Sequence, residues 1–370
     1  MKAKLHLIAA ASLSALLVGC GGGGGDDGGG SSAVQPPGST TPGESLPIQT
    51  SVPAATYSAA DGLDRAYAIL NEGLTRCGFG AVKQNAQLDA AAANHANYII
   101  KNFFSYVVHK ETPGADGFTG VEYWDRHAAA GYTGWPFGEI EAVNYLAYNH
   151  ELINPPTQQQ MQDVASWSVK SLFVAPYHGM NMLKGAVDVG MAAPLFASES
   201  GNLVEIFKPV VISLGAGPAM NGQQPSNPDE IRTFPCDGLT DVAPALYGEY
   251  VPNGDVAPGR FLNINPTGTT IYVAAMPGKT VTITSATILE VPTGQNVPIY
   301  AIRNYANDPN QHVHPGPRFA YVMPDRALLP DTQYQVMVSG NVDGKLFSRT
   351  FLFRTGADIG PSPLEFSLKN

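Results

Sequence analysis

Asn85-Ala86-Gln87-Leu88-Asp89-Ala90-Ala91-Ala92-Ala93-Asn94-His95-Ala96-Asn97-Tyr98-Ile99-Ile100 is the stretch on which the reading of the first half turns. Leu88, Ala91, Ala92, His95, Ala96, Ile99 and Phe103 recur at three and four, which predicts a helix opening after Asn85 with one apolar stripe. His95 falls on that stripe and reads as a satisfied core histidine.

Working outward, Leu63, Ala66, Tyr67, Leu70 and Leu74 predict an earlier helix that stops at Cys77-Gly78-Phe79-Gly80. A shorter helix fits Val121 to Ala130, with Gly131 as its stop. Thr157 and Gln160 form a capping box ahead of Met161, Val164, Trp167 and Leu172. Val187 to Ala192 and Leu203 to Phe207 read as strands, so the expectation for residues 57–215 is an α+β body. Pro and Gly then crowd residues 216–257, read as a linker. From residue 258 to 357 short apolar runs recur at Thr270 to Ala274, Val281 to Leu289, Val297 to Ile302, Phe319 to Val322, Tyr334 to Val338 and Phe347 to Phe353. Six such runs predict an all-β sandwich.

At the other end, Lys2 and Lys4 precede an apolar run from Leu7 to Val18, and Leu17-Val18-Gly19-Cys20 closes it. The run is too short for a membrane span and reads as an export signal over residues 1–19. The closing motif resembles the bacterial lipobox, which implies a lipid on Cys20 and attachment to the cell envelope, at the outer membrane or cell surface because Gly21 is not the retaining Asp. Residues 20–56, rich in Gly, Ser and Pro, form a tether. Their five glycines are not a phosphate loop, since no Lys-Ser or Lys-Thr follows. Loss of Lys2 and Lys4 leaves 19 basic residues against 31 acidic ones, a formal charge of −12. That balance argues against nucleic acid as a partner. With Cys20 lipidated, Cys77 and Cys236 are the remaining thiols, and an oxidising compartment favours a disulfide between them over two buried free thiols.

Five blocks in residues 57–215 resemble the CAP superfamily, the cysteine-rich secretory, antigen 5 and pathogenesis-related proteins, in its bacterial branch. They are Leu70-Asn71 with Gly78-Phe79-Gly80; Leu88 to Ala92 with His95-Ala96; His109 with Phe118-Thr119-Gly120; Ala130-Gly131-Tyr132 with Gly138-Glu139; and Trp167 and Ser171 with Pro176-Tyr177-His178 and Val189-Gly190. The resemblance implies an α-β-α sandwich with a cleft lined by His109, Glu139 and His178. Two imidazoles and a carboxylate suit an open zinc site, so Zn²⁺ is the candidate cofactor and the alternative is a hydrogen-bonded cluster. Two positions depart from the family: Ile140 stands where it has Asn, and Lys170 where animal and plant members have Glu. Glu111, Glu122 and Glu141 could substitute. The stretch Leu329-Pro330-Asp331-Thr332-Gln333-Tyr334-Gln335-Val336 resembles bacterial immunoglobulin-like modules.

His127 and His150 read as surface residues, and His312 and His314 could share a face of one loop. No Gly-x-Ser-x-Gly or Ser-x-x-Lys signature is present. The expected function is therefore a lipid-anchored, non-catalytic protein that binds a lipid, glycan or protein ligand. The alternatives are a lipid or sterol carrier and a metal-dependent hydrolase with Glu139 as base.

Overall fold

The computed structural model describes residues 44–103, 109–358, 360 and 369, together with the backbone of Leu16–Val18. Cys20 and most of the expected signal and tether lie outside the described residues. Among the described residues there are five α-helices: α1 (Leu63–Arg76), α2 (Ala86–Asn102), α3 (Tyr123–Ala129), α4 (Gln158–Val174) and α5 (Pro176–Met182). Strands outnumber them throughout, and the chain is of mixed α+β class.

The helices begin where local chemistry says they should. Asn85 accepts hydrogen bonds from the Gln87 and Leu88 amides, which supplies partners to two otherwise orphaned donors of α2. Thr157 and Gln160 close their box at α4. Gly62, with φ near +79°, precedes α1 because any Cβ there would meet the Gln162 carbonyl oxygen at 2.0 Å.

Between the helices lies a sheet of six strands. Its centre is Leu203–Gly215, flanked by the antiparallel strands Pro136–Asn149 on one side and Asp188–Ala192 on the other. Lys83–Gln84 extends it in parallel, Phe196–Ser200 makes a hairpin with Leu203–Phe207, and Leu16–Val18 lies against Glu141–Val143. The strand Pro136–Asn149 has no counterpart in the sequence reading, because its Glu139, Glu141 and Asn144 look like loop residues until the sheet buries them. Period-two alternation sends Ile140, Ala142 and Leu146 to one face, where they join the core with α1 and α4. Val143 faces the other way, onto Ala92, Ala96 and Ile99 of α2. Helices thus cover both faces.

Two further sheets pack face to face in the C-terminal half. One contains Leu239–Val242, Lys345–Thr355, Gln333–Val342, Val281–Glu290 and Gln295–Val297 in that order; the other contains Ile299–Asn304, Phe319–Pro324, Ile271–Ala274 and Arg232–Phe234. The six predicted runs coincide with strands apart from Thr270 and Pro298, the latter parting a run that the structure divides between the two sheets. The stretch 216–257, expected as a linker, instead carries the edge strand of each sheet and a parallel pair between Gln223–Gln224 and Leu46–Pro47. Its turn residues mask this: Gln223, Arg232 and Leu246 are buried, and only 226–229 form an exposed run of four.

The two halves share one continuous core. Phe173 of α4 stacks on Phe234 with ring centroids 4.5 Å apart. Carbonyls left over at the end of α4 are satisfied from the other half: the Tyr272 hydroxyl is shared between Phe173 O and Ala175 O, and Thr270 Oγ1 donates to Val174 O. Gly179 permits this approach, since a Cβ would stand 2.2 Å from Tyr272 Oη.

Cys77 and Cys236 are joined, with Cα atoms 5.3 Å apart and a sequence separation of 159. The chain-entropy argument assigns about 5 kcal/mol to a closed loop of that length. Cys77→Ala with Cys236→Ala is expected to lower the urea midpoint accordingly. An unchanged midpoint would show that the cross-link adds nothing to the stability the shared core supplies.

Candidate functional site

The alternation that buries Ile140 on one face brings Glu139 and Glu141 to the other, beneath α2, where His95 points inward from the apolar stripe. His95 Nε2 lies 3.0 Å from Glu141 Oε2 and 3.5 Å from Glu139 Oε1, while its Nδ1 lies 3.0 Å from Glu111 Oε1. Arg126, on α3, forms ion pairs with Glu139 and, at 3.8 Å, with Glu111. His109 Nδ1 approaches the two strand carboxylates at 3.2 and 3.9 Å. The side chains of His95, Glu111, Glu139, Glu141 and Arg126 are fully shielded from solvent, and that of His109 is 9% exposed.

Loop 109–120 completes the cluster. Glu111 accepts the amide hydrogens of Thr119 and Gly120 and the Thr119 hydroxyl. Gly120 fits only without a side chain, because a Cβ would stand 2.8 Å from Asp125 and 2.9 Å from the Arg126 nitrogen. Arg126 also donates to Gly120 O, Val121 O and His109 O, so the guanidinium holds the loop as well as the carboxylates.

Burial by itself favours neutral His95, but the surrounding Glu139, Glu111 and Glu141 reverse this and raise its pKa to about 9. Burial likewise opposes ionisation of Glu139, yet the adjoining His95 and Arg126 charges hold its carboxyl well below the usual range. Glu141 is lowered too, against burial, chiefly by His109 and His95. His127, expected at the surface, is buried beside Tyr123 and Tyr132, and burial depresses it to about 4.

Of the residues singled out in sequence, the structure brings His109 and Glu139 together and does not bring His178 to them. His178 opens α5, where its Nδ1 lies 2.8 Å from Glu249 Oε1. The same oxygen accepts the amides of Tyr177 and His178 and caps the helix. Its block lies at the junction of the two halves rather than under α2. Lys170 points away to Asp241, and Ile140 faces the opposite side of the sheet. His312 and His314 do not share a face: His312 is exposed and bonds Pro252 O, whereas His314 is buried between Tyr305 and Tyr321. His95, read as a core histidine, is buried and satisfied, but as the hub of the charge cluster. The signal that could have found it is the Glu139/Glu141 spacing of two, read as one strand face opposite the stripe of α2.

The donor set fits a divalent metal. His95, Glu139 and Glu141 each offer an atom within 4.8 Å of the others. Glu111 on the far ring nitrogen is the orienting partner that metal-bound histidines use. Glu141 Oε1 is buried with no hydrogen-bond partner, so the cluster has acceptor capacity to spare. A divalent ion replacing the His95 proton would balance three carboxylates together with Arg126. No protein-family model matches this chain, and none of the curated proteins matches it.

Removing one partner of such a cluster leaves the others charged and dry. Arg126→Met is expected to cost about 3–5 kcal/mol in urea unfolding; a loss below 1 kcal/mol would mean that solvent reaches the carboxylates. The pH dependence has a definite sign in metal-free protein. A raised His95 pKa contributes stability that is complete below pH 6.5 and lost as pH climbs through about 9. The lowered Glu139 and Glu141 contribute above their ordinary 4.5 and fail on acidification. Thermal unfolding should therefore show a plateau between those limits and a decline of about 3 kcal/mol on the alkaline side, absent in His95→Gln.

Proposed function

We propose that this chain is an exported, lipid-anchored binding protein of the cell envelope, its first half a CAP-like α-β-α body and its second an immunoglobulin-like sandwich. The sealed cluster of opposed charges under α2 carries the non-catalytic part of this reading. It acts as a keystone that holds α2, α3 and loop 109–120 on the sheet, and it has the donors to take a metal such as Zn²⁺ in that structural role. Catalysis suits it poorly. A general base works best with a pKa near the working pH, and Glu139 is held far below it by Arg126 and His95. A polymer substrate would also need the shielded carboxylates uncovered.

In this reading ligand binding falls to an open groove of about 740 Å³ between α1, α2 and the start of α4. Tyr57, Leu63, Met161, Met191 and Leu195 line it together with the polar Asp61, Gln84, Asp89, Asn97 and Lys208, and its size suits a small or chain-like ligand with both apolar and polar parts.

The test uses the full chain purified from membranes. Metal content before and after chelation, unfolding midpoint, and turnover of peptide and envelope-polymer substrates are compared between the parent and Glu139→Gln. The expected result is a midpoint that rises on Zn²⁺ addition, with no turnover in either protein. Turnover present in the parent and lost in Glu139→Gln would replace the binding reading with the hydrolase. Cys20→Ala should release the protein from the membrane fraction, and retention would remove the lipid anchor.

A further inference from the structure

A second concavity lies where the two halves meet, and its charge opposes that of the molecule. The chain carries a formal charge of −10, yet this cleft of about 310 Å³ is lined by Lys184, Lys279 and Arg318 with no carboxylate among its walls. Phe137, Pro315 and Pro317 supply apolar sides. Arg318 is 9% exposed. Its Nη2 donates to Lys184 O at 2.8 Å, its guanidinium lies over the Phe319 ring, and no carboxylate stands within ion-pair distance among the described residues. Burial, and then the charge of Arg232 behind it, lower its pKa to about 9. Lys184 Nζ donates to Phe137 O and lies 4.8 Å from that ring's centroid, which fixes its direction. Lys279 pairs at the rim with Asp343 at 3.1 Å.

An arginine kept in the interior without an anionic partner is costly, and a cleft of one sign concentrates the opposite ion. We propose that this cleft is an oxyanion site that takes a carboxylate or phosphate borne by a small, partly apolar molecule, with Arg318 as its principal contact. Guanidinium groups meet both oxyanions through paired N–H donors, and the proline and phenylalanine walls pack the ligand body. The volume suits a single charged sugar ring or headgroup rather than a polymer. Because the walls come from Phe137 and Lys184 in one half and Lys279 to Arg318 in the other, occupancy would also fasten the halves together.

Inorganic phosphate and glucuronate are titrated calorimetrically into the full chain at constant ionic strength, with chloride as control. Saturable binding of at least one is expected, and the preferred probe identifies the group. Lys279→Glu places a carboxylate at the rim of the cleft, on a partly exposed side chain whose one ion pair, to Asp343, is itself solvent-exposed and contributes little to folding. It should weaken binding at least tenfold, as should Arg318→Gln where that variant folds. Heats no different from chloride, or equal affinity in Lys279→Glu, would overturn the site.

Discussion

Three carboxylates, Glu111, Glu139 and Glu141, are withdrawn from water beneath one helix, and their neutralisation constrains everything around them. A carboxylate in a protein interior either loses its charge or finds a cation with good geometry. Here two cations answer from two helices, His95 from α2 and Arg126 from α3. Each must arrive at a fixed depth and angle, so the pairing sets the positions of both helices on the sheet. Loop 109–120 is bound into the same arrangement through Glu111 and the carbonyl contacts of Arg126. Such clusters specify an arrangement more than they stabilise it, since an apolar core of equal volume would hold as well.

On the opposite face of the sheet the interactions are of another kind. There Ile140, Ala142, Val164 and Leu172 pack without charge, and the constraint comes from hydrogen bonding at the end of α4. The hydroxyls of Tyr272 and Thr270 occupy the last carbonyls of that helix, and Glu249 caps the next. Tyr177 extends the junction by donating to Asp308, which also accepts from Tyr321. A buried polar seam of this sort fixes the angle between the halves, because sliding them would leave helix ends unsatisfied. The disulfide closes the same seam from the end of α1.

The distribution of charge follows from these two arrangements. Acidic residues predominate overall, yet the cleft between the halves is lined by cations with no carboxylate among its walls. A reading of net charge alone would have predicted a surface that repels anions everywhere. Where chain segments from both halves converge, local sign departs from the average.

By itself the sequence determined the elements with local causes. Asn85 and Thr157 carry their caps within three residues, Gly131 sits at the end of α3 with a positive φ, and the apolar runs of the second half give its strands. It also placed His109 with Glu139 and paired the two cysteines. The strand Pro136–Asn149 was not legible, because its two glutamates and an asparagine point into the protein, and alternation of polarity fails when both faces of a strand are buried. Without that strand, Glu139 and Glu141 could not be seen as neighbours, and His95 kept the appearance of a lone core histidine. His178 was misplaced for the matching reason, since its partner Glu249 lies 71 residues on and no local pattern joins them. Only the tertiary structure decided which charges meet, because the partner that lowers or raises a buried group's pKa is supplied by another element, and desolvation acts on the assembled interior rather than on the chain.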